Sequence, residues 1–168
     1  ENYEVTIDEN NYAKRIKVSN DTNSVSEDTK ISIITEDSSV YLVPIKNLPI
    51  GNARDKGVAL ENFTDGNEIA YAFIPEENKQ ILTIDTEGYG KIVDHSEFVS
   101  SRKFLKGYLK DSKILLAREL GDEKTIISKN SAGKEKKFKI SNLPVGKRTT
   151  KGKKVVAGKF EIESVELN

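Results

Sequence analysis

Basic residues recur at corresponding turn positions along this chain, a pattern typical of a surface that binds anions. One group follows the tight turns of predicted hairpins: Lys14, Arg15, Lys91, Lys136 and Lys137. A second group lies in the longer loops after those hairpins: Arg54, Lys56, Arg102, Lys103, Lys106, Lys147, Arg148, Lys151, Lys153 and Lys154. Lysine and arginine neutralise phosphates and release counterions. If repetition places these residues on one curved rim, they predict salt-dependent binding of a polyanion with little sequence preference.

The balanced composition conceals a strong asymmetry of charge. The 168-residue chain carries 27 basic and 27 acidic residues. Residues 1–90 hold 8 Lys/Arg against 17 Asp/Glu, whereas residues 91–168 hold 19 against 10. The basic half is therefore the candidate binding surface, and the alternative is that its lysines only solvate exposed strands.

Residues for catalysis or metal binding are scarce. His95 is the only histidine and cysteine is absent, which argues against a two-histidine metal site and excludes thiolate ligands and disulfides. We expect His95 to be a surface or packing residue. The glycines at 88–90 and 146–152 lack the spacing of a nucleotide-binding loop and are interpreted as turn residues.

A hairpin pattern recurs with a period of 45 to 50 residues. Residues 81–93 alternate around a turn at Gly88, and the pattern returns around Gly133, 45 positions later, and around Ser39, 49 positions earlier. A partial copy near the beginning places Asn11 at the same turn. Strand-only repeats of this length predict blades, each too small to bury its apolar face alone.

A second motif keeps the same register. The segments LPIGNARDKG at 48–57 and LPVGKRTTKG at 143–152 share Leu-Pro-x-Gly and a final Lys-Gly. Gly107 is predicted to be the intermediate member, because it lies 50 positions after Gly57 and 45 before Gly152. Two independent markers with one period make a chance repeat improbable.

The Glu87-Gly88-Tyr89-Gly90-Lys91 hairpin, paired with the Leu-Pro-x-Gly segments, resembles the C-terminal domain of the A subunit of bacterial type IIA topoisomerases, gyrase and topoisomerase IV. The resemblance spans nearly the whole chain. It implies an all-β β-pinwheel, an open arc of about three four-stranded blades plus a partial one. It also implies a non-catalytic domain whose basic rim binds and bends duplex DNA.

The same resemblance implies the setting of the domain. Its partners would be duplex DNA, the rest of the A subunit and the ATPase B subunit of a heterotetramer, in the bacterial cytoplasm at the chromosome. The domain itself would need no cofactor, since ATP and magnesium would be bound elsewhere in the parent enzyme. The family's catalytic tyrosine follows an arginine, and no Arg-Tyr pair occurs in this chain.

One departure from the family pattern bears on which enzyme is expected. A basic, glycine-rich heptapeptide used for wrapping DNA in gyrase would be expected near residues 19–30, where this chain has SNDTNSVSEDTK. The departure favours topoisomerase IV over gyrase. The competing interpretation from another class is a propeller that binds proteins, which should show exposed aromatic or arginine residues on one face.

The expected organisation is a single domain with a partial blade and loop at 1–30 and blades at 31–78, 79–124 and 125–168. We also expect strands at Val58–Asn62 and Lys113–Leu120, and a slip in the last strand near Ser164. No apolar run approaches the length of a membrane span, so we expect no membrane partner. A chain that begins at Glu1 and lacks methionine is expected to be a fragment of a larger subunit.

Overall fold

The molecule is built from β-hairpins with short connections. The computed structural model describes residues 1–19, 23–100, 104–105, 112–159 and 161–168, with only the backbone described at 104–105. Four hairpins follow one another: β1 Asn2–Ile7 with β2 Tyr12–Val18, β4 Lys30–Thr35 with β5 Val40–Pro44, β8 Gln80–Asp85 with β9 Tyr89–Asp94, and β12 Thr125–Asn130 with β13 Glu135–Lys139. The remaining strands are β3 Val25–Ser26, β6 Val58–Ala59, β7 Ile69–Phe73, β10 Phe104–Leu105, β11 Ile114–Glu119, β14 Lys153–Lys154 and β15 Ile162–Leu167. Short 3-10 helices cover Ile45–Asn47, Leu60–Phe63, His95–Phe98 and Ile140–Asn142.

The described strands form four antiparallel sheets, which we call sheets A to D. Their strand orders are β3-β1-β2-β6, β10-β5-β4-β7, β11-β8-β9-β14 and β13-β12-β15. In sheets A, B and C, one edge strand comes from the following repeat: β6, β10 or β14. We call these three the exchange strands. Each repeat therefore completes the sheet of its predecessor, and the expected open array of blades is confirmed.

The four hairpin turns share one local geometry. Asn11, Ser38, Gly88 and Gly133 all have positive φ, between 61° and 88°. Three residues before the turn residue, a side-chain oxygen of Asp8, Asp85 or Asn130 accepts two backbone N–H groups and closes the turn. The prediction that Ser39 occupies this position was one residue off, because Ser38 has the left-handed backbone.

Three apolar cores lie between consecutive sheets. Tyr3, Leu48 and Leu60 belong to the core between sheets A and B. Phe73 and Phe98 belong to the core between B and C, and Ile126 and Val155 to that between C and D. Blade interfaces thus provide the burial that a single small sheet cannot.

Two details of the expected organisation are wrong. The first sheet is not partial, since β3 and β6 complete it, and within the described residues the three-stranded sheet is the last one. The strand expected from Val58 to Asn62 ends at Ala59, where a 3-10 helix begins.

The strand expected at Lys113–Leu120 is confirmed as β11. The slip expected near Ser164 appears as a shift in register between β12 and β15.

The proposed equivalence of Gly107 is also wrong. Val58 pairs with Ala13, Leu105 with Val40, and Lys153 with Gly90. This register places Phe104, rather than Gly107, in line with Gly57 and Gly152. Gly107 itself lies outside the described residues.

None of the described helices has the length and apolar character needed to cross a membrane.

Candidate nucleic-acid interface

Lys91 lies at the centre of a structural device that the sequence did not reveal. Its side chain is 2% exposed, and its Nζ donates hydrogen bonds to the carbonyl oxygens of Lys147 at 3.4 Å, Thr150 at 2.5 Å and Arg148. These carbonyls belong to the loop that leads into exchange strand β14. We call such a lysine with its ring of carbonyls a lysine cage.

Lys14 forms the same cage one strand exchange earlier. Its Nζ donates to the carbonyls of Asn52 at 2.7 Å, Ala53 at 3.1 Å and Asp55 at 2.5 Å, in the loop before β6. In sheet B the corresponding residue is Tyr41, whose hydroxyl accepts a hydrogen bond from Asn67. A cage therefore forms where a loop that ends in Lys-Gly packs against a hairpin strand with a lysine at this position.

Each cage also requires a glycine, because the glycine backbone lies directly against the strand that carries the cage lysine. Gly57 and Gly152 have φ of +91° and +89°. A Cβ at these positions would collide with the carbonyl oxygens of Ala13 and Gly90, respectively. The repeated Lys-Gly pair is thus required by close backbone contact between repeats.

Three residues expected on the exposed rim are buried, so their predicted position is wrong. The cations of Lys14 and Lys91 are enclosed by carbonyls, and burial lowers the pKa of Lys91 to about 8. Arg15 is 9% exposed: its Nε donates to the carbonyl of Leu48, and its guanidinium lies 4.5 Å from the centre of the Tyr3 ring. These side chains join repeats together and do not face a polyanion.

The exposed basic residues gather around two aromatic rings beside β14. The Nζ atoms of Lys151 and Lys154 lie 4.4 and 5.2 Å from the centre of the Tyr89 ring. Those of Lys136 and Lys153 lie 5.7 and 5.8 Å from the centre of the Phe138 ring. The ammonium groups themselves thus lie close to the rings, as in cation–π contacts, and the four lysines are exposed or half-buried.

Lys159, which sequence reasoning did not select, extends this basic cluster. An open cleft of about 490 Å³ is lined by Lys151, Lys154 and Lys159 together with Tyr89, Glu87 and Glu161. Lys159 lies outside both repeat motifs, so only its position among the other lysines of the basic half could have indicated it. Lys137 and Lys147 are also exposed.

The other expected site residues have different surroundings. Arg54 and Lys56 are exposed in the loop before β6, where the Nζ of Lys56 lies 4.1 Å from the centre of the Tyr12 ring. Arg148 is half-buried, and its Nε donates to the carbonyl of Glu97 at 2.8 Å. Arg102, Lys103 and Lys106 lie outside the described residues.

His95 is a packing residue, in agreement with one of the two expected roles. It is buried, its Nδ1 accepts the N–H of Glu76 at 3.0 Å, and its ring packs 4.7 Å from that of Phe73. Burial lowers its pKa, which favours the neutral imidazole.

Antiparallel blades in an open array that exchange edge strands define the β-pinwheel class. The family model of the DNA gyrase C-terminal domain, a β-propeller, matches residues 29–76 and 130–162. These two stretches are therefore similar to that family, in agreement with the resemblance seen in the sequence. A comparison with curated proteins finds no match.

Solved structures with the same fold come from both type IIA enzymes. The chain is similar over its whole length to the C-terminal domain of DNA topoisomerase IV, with 17% identity, a TM-score of 0.74 and coverage of 61% of that chain. The E. coli ParC C-terminal domain gives 13% identity, a TM-score of 0.67, and coverage of 99% of this chain and 78% of the other. A DNA gyrase A C-terminal domain gives 16% identity, a TM-score of 0.51, and coverage of 99% and 65%.

Proposed function

We propose that this chain is a non-catalytic domain that binds and bends duplex DNA for the A subunit of a type IIA topoisomerase. The observation that carries the proposal is the cluster of solvent-facing lysines around Tyr89 and Phe138. Ammonium groups gathered on one surface suit phosphates, and the energy of bending is offset by the added contacts. DNA would be its first partner, and the rest of the A subunit and the ATPase subunit would be the others.

Topoisomerase IV is the enzyme we favour as the parent. Residues 19–30 have an acidic, polar sequence in place of a basic wrapping element. The fold is also more similar to two topoisomerase IV domains, at TM-scores of 0.74 and 0.67, than to the gyrase domain at 0.51. We expect weak binding without complete chiral wrapping, because the acidic half offers few phosphate contacts and the wrapping element is missing.

DNA binding can be tested by removing three exposed cations together. Replacing Lys151, Lys153 and Lys154 by alanine should reduce the magnitude of the negative slope of log affinity against log salt by up to about three units, with sequence preference unchanged. Fluorescence anisotropy with two unrelated duplexes between about 50 and 200 mM salt measures this slope. The control is a triple variant of Lys17, Lys46 and Lys79, which changes net charge equally in the acidic half.

An unchanged slope in the first variant, or an equal loss in the control, would contradict the proposed interface. A second experiment tests the type of enzyme. Nicked plasmid that is ligated with the domain bound should have the same distribution of linking number as plasmid ligated without it. A shifted distribution would indicate gyrase-like wrapping and contradict the preference for topoisomerase IV.

A further inference from the structure

A groove at the seam between sheets B and C lies outside the proposed interface with DNA. Two cavities of about 580 and 370 Å³ share the side chains of Pro75 and Val99 and therefore adjoin as one groove. One wall is the connection from β7 to β8, and the other is the segment around the 3-10 helix that follows β9. Asp94 in the groove and Tyr89 in the basic cluster are the two ends of β9, so the two surfaces are separated by the length of that strand.

His95 ties the two walls of the groove together. Its Nδ1 accepts the N–H of Glu76 at 3.0 Å, and its own N–H donates to the carbonyl of Lys79 at 2.9 Å. The 3-10 helices that follow β5 and β13 begin instead with buried Ile45 and Ile140, whose side chains cannot accept a hydrogen bond. The histidine is thus a departure from the repeat that fixes the groove in shape, and a preformed groove needs little ordering before it binds a ligand.

The groove contains an apolar patch with one unusually exposed member. Val99 is 70% exposed, the largest value among the large hydrophobic side chains that the structure describes. Half-buried Ile74 and Pro75 line the groove with it, as does buried Phe98. Covering Val99 removes apolar surface from water, which favours a ligand with an aliphatic side chain at this point.

Charge defines what accompanies the aliphatic side chain. The two lysines that line the groove are already engaged, since Lys79 lies 2.7 Å from Glu76 and Lys30 donates to the carbonyl of Ser100 at 3.0 Å. Three exposed carboxylates line it without an ion pair to any described residue: Asp28, Glu77 and Asp94. The excess charge is therefore negative, and it complements lysine or arginine.

The equivalent groove between sheets C and D has the opposite charge. The hairpins of these two sheets are offset by 45 positions, so Asp94 corresponds to Lys139. Lys139 and Lys124 both line the second groove, and the carboxylate of Glu123 in its lining is paired with Arg118 at 2.6 Å. The second groove has the same place in its repeat but does not suit a cation, which makes it an internal control.

We propose that the groove between sheets B and C is a docking site for a short extended segment of a partner protein, in which aliphatic residues are flanked by lysine or arginine. An aliphatic side chain packs against Pro75 and Val99, and the flanking cations lie near Glu77 and Asp94. Nucleic acid does not suit this surface, because its phosphates would meet carboxylates. The domain therefore holds DNA and the partner at the same time.

The test uses the complete chain and an acetylated, amidated hexapeptide, Gly-Lys-Leu-Val-Arg-Gly, followed by two-dimensional NMR. We expect saturable chemical-shift changes at the amides of Glu77 and Val99 with a Kd of about 1 mM or lower. A peptide with glutamate in place of both cations should bind at least about tenfold more weakly, because like charges meet. A peptide with serine in place of both aliphatic residues should also lose at least about tenfold, because it buries little apolar surface.

Variants of the protein test the same two contacts. Val99→Ser should weaken binding at least about fivefold. Val145→Ser is its control, since Val145 is 57% exposed and lines the other groove, and it should bind as the wild type does. Asp94→Asn keeps an acceptor for the amide of Gln80 and should weaken binding about threefold at low salt. Glu135→Gln, which removes an exposed carboxylate from sheet D, is the charge control and should have no effect.

Several results would overturn the proposal. Equal shifts with all three peptides, shifts centred on Lys139 and Val145, or no saturable shift up to about 5 mM peptide would each do so. Shifts at Val99 that depend on protein concentration without peptide would show that a second copy of the chain occupies the groove instead. Duplex DNA should leave the peptide-induced shifts unchanged, and competition would show that the groove belongs to the DNA interface.

Discussion

At the scale of single residues, the basic side chains of this molecule occupy two kinds of environment. Lys14, Arg15 and Lys91 are enclosed by backbone carbonyls, whereas Lys151 and Lys153 face solvent. Both groups were selected because they recur along the chain, and only the contacts with the loop from the next repeat show which side chains are enclosed. The sequence therefore predicted which residues recur, but not which of them act within the protein.

Lys91→Met tests the structural role of the cage. The substitution leaves three carbonyl groups without their donor, and we expect the free energy of unfolding to fall by about 3 kcal/mol. Urea titration measures this change. Lys147→Met removes an exposed charge from the same loop and should alter stability by less than about 0.5 kcal/mol.

The difference between wild type and Lys91→Met should also depend on pH. Burial lowers the pKa of Lys91 from 10.5 to about 8. Between these values the unfolded chain holds a proton that the folded protein has released, so the contribution of Lys91 to stability rises with pH. The difference in free energy of unfolding between the wild type and the variant should be larger at pH 10 than at pH 8. An equal difference at both pH values would contradict this titration.

At the scale of elements, stability depends on the close contact between each exchange loop and the strand that it pairs with. Gly152→Ala should cost about 3 kcal/mol, because a positive φ and a collision with the carbonyl of Gly90 add together. Gly133 has a similar φ of +84° but no atom within 4 Å of a Cβ, so Gly133→Ala should cost only about 1 kcal/mol. Thermal unfolding of the two variants compares them, and equal losses would mean that backbone conformation alone is responsible.

Much of the element plan could be predicted because it depends on local signals. Turn residues at 88 and 133 and alternating apolar residues placed the hairpins within a residue or two. Which sheet receives β6, β10 or β14 could not be predicted, because two-residue strands carry no periodicity and their pairing is set by distant residues. Ser38 was missed for a related reason, since neither Ser38 nor Ser39 is typical of a left-handed turn.

At the scale of the whole molecule, exchanged strands should make unfolding cooperative. Sheets A, B and C each require a strand from the following repeat, and the three cores lie between sheets. Tyrosine fluorescence and far-UV circular dichroism should therefore report the same midpoint in urea. Two separate transitions, one for the acidic half and one for the basic half, would show that the exchanges couple the blades only weakly.

Strand exchange also constrains how a gene for this protein could gain or lose blades. A deletion of one complete period, removing β4 to β7, would leave the other three hairpins intact but present β10 to β2. Phe104 would then face Lys14, where Gly57 now lies. Duplication and recombination must consequently preserve the match between adjacent repeats. A hairpin with a cage lysine must be followed by an exchange loop with a glycine, and the hairpin with Tyr41 must be followed by the strand with Phe104.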